Sequence, residues 1–280
     1  KLSPNWKKGK FENLEKTSIN ITAKTLPGLL KEQLRKAPER EPENPIEYIN
    51  FEASQFSENN KPKFIWYGHS VLLLQIAEKN FLIDPMFGPD ASPIGPIRTK
   101  RFSENTLDII DTLPKIDAVL ITHDHYDHID MASIEKLKSK VDTFYVGLGV
   151  ARHLERWDIS GDKIKEFDWW DNINFEGIEI TYTPSRHFTG RGITDRAKSL
   201  WGGWVLKNTN HSIYWSGDGG YGKHFKSIGE KLGPFDIAFM ECGQYNKLWH
   251  LIHMYPEEAI QAGFDVGAKV GIPFHWGGFP

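Results

Sequence analysis

The sequence predicts an α/β chain (α+β by some schemes) built on mixed sheets, and three observations carry that expectation. Short apolar runs that end in polar residues recur from Phe64 onward. Helical periodicities fall among these runs rather than in a block of their own. The early runs are joined by tight turns, as antiparallel hairpins are, whereas later runs are separated by helices, as parallel strands are.

Residues 1–63 stand apart as an N-terminal arm, net +3 against −6 for the remainder, and Pro38, Pro42, Pro45 and Pro62 break the arm into irregular pieces. One helix fits at Leu26–Lys36, with Leu26, Leu29, Leu30 and Leu34 on one face. That face either packs on the body formed by residues 64–280 or, being basic and amphipathic, touches lipid. In the body, strands are expected at Phe64–Tyr67, Val71–Ala77 and Phe81–Ile83, with turns at Gly68-His69 and Lys79-Asn80. Further strands are expected at Ala118–Thr122, Thr143–Val146, Ile178–Thr183, Gly203–Leu206, Ser212–Trp215, Ile237–Met240 and Val270–Phe274. Helices are expected at Met131–Ser139, Val150–Trp157, Lys223–Leu232 and Pro256–Val266.

Composition narrows the function. Lys+Arg 34 against Asp+Glu 37 gives no support to a nucleic-acid partner held by bulk charge. A single cysteine, Cys242, excludes an intrachain disulfide and any multi-thiolate zinc site. The longest aliphatic run, Val71–Leu74, is far short of a membrane span, and Lys1–Trp6 holds no apolar stretch of the kind a secretory signal needs. Eleven histidines direct attention to metal.

The central signal is His123-Asp124-His125-Tyr126-Asp127-His128, directly after the run Ala118–Thr122. His123 and His125 are two apart, so in extended chain they point the same way and can chelate one ion. Asp127 and His128 lie where a turn can aim them at a second ion. Imidazole with carboxylate suits zinc, and also manganese or iron. His187, Asp218 and His275 each follow another apolar run, and Gly219-Gly220 beside Asp218 permit close backbone approach.

These residues resemble the ordered motifs of the metallo-β-lactamase superfamily: Asp84 after an early strand, residues 123–128, then His187, Asp218 and His275. The resemblance implies a four-layer αββα sandwich with the metals at one edge. It also implies His123, His125 and His187 on one ion, Asp127, His128 and His275 on the other, Asp218 bridging, and Asp84 orienting a ligand imidazole. A finer set of islands is similar to the N-acylphosphatidylethanolamine-hydrolysing phospholipase D family. It includes Trp66-Tyr67-Gly68-His69-Ser70, Leu82–Phe87, Lys100-Arg101-Phe102, Asp168-Trp169-Trp170, Leu200-Trp201-Gly202, Pro256–Ala259 and His275-Trp276-Gly277. Asp124 stands where that family tends to have Asn, Glu241-Cys242 replaces an apolar pair, and Gly203 replaces a Ser.

The resemblance implies a dinuclear zinc phosphodiesterase, in which water activated between two ions attacks phosphorus of an N-acylated phosphoethanolamine lipid. Asp127, Asp218 and His253 are then the catalytic candidates, His253 protonating a leaving group or holding substrate. His69 is expected near the metals, in a substrate or supporting role. Arg101 and Arg186, with Arg98, Lys100 and Arg191, are candidate phosphate partners. A phospholipid or other small phosphodiester is the expected partner, with peripheral membrane contact; a homo-oligomer is compatible with this reading. The other readings are a lactonase or amide hydrolase of the same fold, resembling the ascorbate-6-phosphate lactonase branch, and a non-catalytic metal-binding module. No nucleophile elbow is present, which argues against serine hydrolase chemistry.

Overall fold

The computed structural model describes residues 3–280 apart from 21, 23, 35–39, 57–60 and 93–98, and the backbone alone at residues 30 and 32–34. In the arm, β1 (Trp6–Lys7) and β2 (Lys10–Phe11) form a small hairpin, followed by α1 (Leu26–Leu34) and the short α2 (Ala53–Phe56). The expected helix is thus present to Leu34, and its last two residues lie outside the described ones.

The body opens with β3 (Lys63–Trp66), β4 (Leu72–Ile76) and β5 (Lys79–Ile83), an antiparallel meander. The turn at Gly68-His69 is where it is expected. The next turn is not at Lys79-Asn80, which belong to β5, but at Ala77-Glu78, both in the left-handed region. Neither residue is a usual left-handed one, so local composition concealed it.

Then come α3 (Ile109–Thr112), β6 (Ile116–Ile121), α4 (Met131–Leu137), β7 (Val141–Gly147), α5 (Ala151–Arg156) and β8 (Ile164–Phe167). The second half runs β9 (Asn172–Phe175), β10 (Ile178–Pro184), β11 (Gly202–Lys207), β12 (Ser212–Trp215), α6 (His224–Leu232), β13 (Phe235–Glu241), α7 (Pro256–Asp265) and β14 (Ala268–Phe274). Two six-stranded mixed sheets result, ordered β3-β4-β5-β6-β7-β8 and β14-β13-β12-β11-β10-β9. Strands β5 to β8 are parallel neighbours, as are β12 to β14, and the remaining neighbours pair antiparallel.

Three apolar cores separate four layers. Leu72, Leu74 and Leu120 of one sheet meet Tyr182, Trp204 and Trp215 of the other. Leu73, Val119 and Val146 face Ile110, Ile134 and Leu154 of α3, α4 and α5. Val205, Tyr214 and Met240 face Phe225, Ile228 and Ala262 of α6 and α7. This is an αββα sandwich, each sheet covered on both faces as its apolar strands require. No helix among the described residues is long and apolar enough to cross a membrane.

Leu74 is fully buried between the sheets and away from the histidines. Leu74→Ala is expected to cost about 2–5 kcal/mol, a lost side chain plus an unfilled cavity. Urea unfolding checks it: the midpoint falls and the slope is unchanged.

Candidate metal centre

The strand directions collect chemistry at one edge. Because β5 and β6 are parallel, their C-terminal ends lie side by side, and they lead into Asp84 and into residues 123–128. In the second sheet, β10, β12, β13 and β14 also end on a common side, and they lead into His187, Asp218, Glu241 and His275. The loop carrying Asp218 is held by contacts that only glycine allows. Gly217 is at φ +62°, with Gly202 O 2.2 Å from where a Cβ would stand, and at Gly220 that site is 2.2 Å from Leu251 backbone. His69, Asp84 and His275 are themselves left-handed, at φ 52°, 44° and 74°. Non-glycine residues adopt that region at a cost which the surrounding packing must hold in place.

Two donor sets face each other across Asp218. In the first, His125 Nδ1 lies 2.9 Å from His123 Nε2 and 3.1 Å from His187 Nε2. In the second, His275 Nε2 is 3.3 Å from both His128 Nε2 and Asp127 Oδ2. Asp218 Oδ2 stands 3.2 and 3.1 Å from the nitrogens of His128 and His275, and 4.0 and 3.9 Å from those of His123 and His187. Nitrogens around one tetrahedral zinc are about 3.3 Å apart, so these sets have the spacing that an ion needs. The other oxygen of Asp218, Oδ1, is buried with no hydrogen-bond partner, an orphan that a cation would satisfy.

The supporting bonds fix which ring nitrogen is free. His187 Nδ1 donates to Ile252 O at 3.0 Å. His128 Nδ1 donates to Asp84 Oδ2 at 2.9 Å, while Asp84 also accepts from the Thr122 amide and hydroxyl. The same hydroxyl, its proton given to Asp84, accepts from His123 Nδ1 at 3.0 Å. His123, His128 and His187 therefore keep Nε2 free to face inward, while His125 presents Nδ1 to the same set.

Burial, reinforced by neighbouring imidazoles, holds His123 and His187 well below the ordinary histidine value, and burial lowers His125. The first set is thus neutral. At the second set burial again opposes charge, but Asp218, Asp127 and Asp84 win and raise His128 well above its ordinary value. His275 is likewise carried against burial to about 10 by Asp218 and Asp127. The carboxylates demand positive charge at that point, and divalent ions are a natural source of it.

His69 is buried and its Nε2 lies 2.9 Å from Asp127 Oδ2, within the cluster. His253 is present too, its Nδ1 3.1 Å from Glu241 Oε1. Arg101 and Arg186, in contrast, do not face the site. Arg101 is buried and donates to the carbonyls of Met86 and Gly88, and burial lowers it to about 10. Arg186 donates to Tyr221 O and Lys16 O at 2.8 Å each, and to Thr17 Oγ1. Their guanidinium groups tie loops together, which corrects the expectation that they meet phosphate. Arg191 lies over the Tyr126 ring and donates to Asp124 O and Ile129 O. Lys100 lines a separate groove with residues 41–45, and Arg98 lies outside the described residues. Cys242 is half-buried and unpaired on the α7–β14 side.

Three contributors had no role assigned from the sequence, although Asp124 and Glu241 stood out there as departures from the family pattern. Glu241 is fully buried and ends β13. Asp124 points away from the donors and braces the motif against the 187–199 loop through Gly190 N, His153 and Ser199. Asn13 comes from the arm: its amide donates to His187 O at 2.8 Å and accepts from His187 N at 3.1 Å. A cavity of about 390 Å³ opens beside the donors, with Ile19, Phe188, Trp249, Ile252 and Phe279 among its walls.

Asp84→Asn removes the carboxylate behind His128 and is expected to weaken zinc binding by about 10- to 100-fold. Asn13→Ala is expected to loosen His187, so that one of two zinc equivalents weakens and the other is kept. Competition titrations against a chromophoric chelator check both.

Comparison with known proteins agrees with this geometry. A family model described as a Beta-lactamase superfamily domain matches residues 79–276. The protein Rv0906 of Mycobacterium tuberculosis is 35% identical over 282 residues, covering 99% of this chain and 75% of its own. The N-acyl-phosphatidylethanolamine-hydrolyzing phospholipase D 1 of Caenorhabditis elegans is 31% identical over 243 residues, covering 82% of this chain and 68% of its own. Among solved structures, Igni18, a metallo hydrolase of Ignicoccus hospitalis, superposes with a TM-score of 0.59 at 22% identity, covering 76% of this chain and 81% of that one. With its strand-end donors at the shared edge of two sheets, this chain belongs to the metallo-β-lactamase superfamily and has a metal-dependent hydrolase fold.

Proposed function

We propose that this protein is a dinuclear zinc phosphodiesterase of the phospholipase D type, acting on N-acylated phosphoethanolamine lipids. The observation that carries the reading is Asp218 Oδ2, within about 4 Å of donor nitrogens in both sets, where one carboxylate can serve two ions. The all-nitrogen-and-oxygen donor set suits zinc, with manganese or iron as alternatives that elemental analysis separates. The name of the Caenorhabditis elegans relative supports the substrate class.

Bound there, two such ions would supply a water acidified toward neutral pH and neutralise phosphate charge. The chain's own residues do the rest. Asp127 is held by His69, so its carboxylate keeps one orientation during turnover. The apolar wall of Ile19, Phe188, Trp249, Ile252 and Phe279 excludes water and accepts an alkyl chain. Water oxygen bonds to phosphorus and releases a proton to solvent, the bond from phosphorus to the ethanolamine oxygen breaks, and His253 gives that oxygen a proton, which solvent then restores to the ring. The products are phosphatidate and an N-acylethanolamine.

Helix α1 provides the approach to a lipid surface in this reading: Leu26 is 46% exposed and Leu29 half-buried, with Lys31 exposed beside them. A substrate panel tests the proposal. An N-acylated phosphoethanolamine in mixed micelles should be hydrolysed faster than soluble bis(p-nitrophenyl) phosphate, and a lactone should not be opened. Faster lactone opening would favour the lactonase reading instead. Leu26→Asp should slow the micellar reaction alone; equal slowing of both diesters would place that face in packing rather than at lipid.

A further inference from the structure

One fully buried acid at the site stands outside the two donor sets. Glu241 ends β13 with no exposed surface, and its carboxylate is fixed from both sides. Oε2 accepts from Met254 N at 2.9 Å and Oε1 from Gly243 N at 3.1 Å. Those two amides leave Oε1 facing the His253 ring, with Nδ1 3.1 Å away. The neighbouring ring, His275, presents its own Nδ1 to the same oxygen at 3.7 Å, beyond hydrogen-bond length. His253 lines the metal-site cavity, and one of its ring nitrogens is within 4.8 Å of donor atoms on His187 and Asp218.

We infer that Glu241 is the positioning residue of His253, holding its Nδ1 proton so that Nε2 is the nitrogen that exchanges protons with substrate in the cavity. A carboxylate fixed by two backbone amides cannot rotate to follow the ring, so the ring must follow it. The carboxylate also keeps the Nδ1–H in place whether Nε2 is protonated or not, so one proton moves per turnover and always at the same atom. The role rests on the proposed function for its chemistry but not for its geometry. An apolar residue at 241 would leave the Met254 and Gly243 amides and the His253 ring without their shared acceptor.

The test uses the full chain loaded with zinc. Two-bond ¹⁵N–¹H spectra of the imidazoles are expected to show His253 as the Nδ1–H tautomer in the unmutated protein, and as a mixture in Glu241→Leu. On the micellar diester, Glu241→Leu should lower kcat by about tenfold or more with KM unchanged, part of the roughly 100-fold or greater worth of a positioned proton donor. In a His253→Ala background the same change should cost nothing further, and elemental analysis should still find both zinc ions. Glu241→Gln keeps the shape and one acceptor oxygen; it should fold, retain the tautomer and fall between the two in kcat. An unchanged His253 tautomer in Glu241→Leu, an equal loss without His253, or loss of zinc would overturn the inference. So would a Glu241→Gln protein identical to the unmutated one in both spectra and kcat. Should no diester be cleaved, the tautomer spectra still decide the role of Glu241, and only the substrate reading fails.

Discussion

Burying a carboxylate without compensation costs several kcal/mol, and this fold buries Asp84, Asp218 and Glu241 and partly buries Asp127 at a single edge. The neighbouring side chains are arranged around that cost. Seven imidazoles stand among these acids: His69, His123, His125, His128, His187, His253 and His275. Three of them form a neutral set, and at two others, His128 and His275, the facing carboxylates outweigh burial and favour positive charge. The charge of four ionised carboxylates would be matched by two divalent ions. The strained backbone at His69, Asp84 and His275 is sustained by the same arrangement, since each of these residues lies within its bonds.

The outer partners matter as much as the donors. Asp84 serves His128 and the Thr122 amide at once, and so couples the end of β6 to the ring orientation seven residues after β6 ends. Asp124 lies between His123 and His125 yet turns outward, to Gly190, His153 and Ser199. One motif therefore alternates inward donors with an outward brace, as the two-residue period of extended chain allows.

Much of this was legible in the sequence because each donor follows an apolar run, and the end of a buried strand is where a polar side chain can be both fixed and accessible. The same logic located every long strand and the four principal helices of the body. It did not reach β8 and β9, whose Ile164–Phe167 and Asn172–Phe175 are short, half-polar edge-side strands with little periodicity. Nor could it assign Arg101 and Arg186. Their basic character suggested phosphate, but their partners are carbonyls brought near by tertiary folding, which no local pattern encodes. Glu241 read as a departure from a family pattern; only its distance to His253 gives it a purpose.

The clamp between Asn13 and His187 joins positions 174 residues apart. Synthesis proceeds from the N-terminus, so Asn13 leaves the ribosome early and has to wait for most of the chain before its partner exists. The second donor set waits longer still, since His275 lies near the end of the described residues and its partners at 127 and 128 appear far earlier. Such long-range closures come late and slowly, after the local hairpins and helices have formed. A nascent chain that has not reached His275 therefore lacks the second donor set, and the paired geometry arises only once that residue has joined its partners at 127 and 128. Ion capture before and after His275 is in place would thus be chemically different events for this protein.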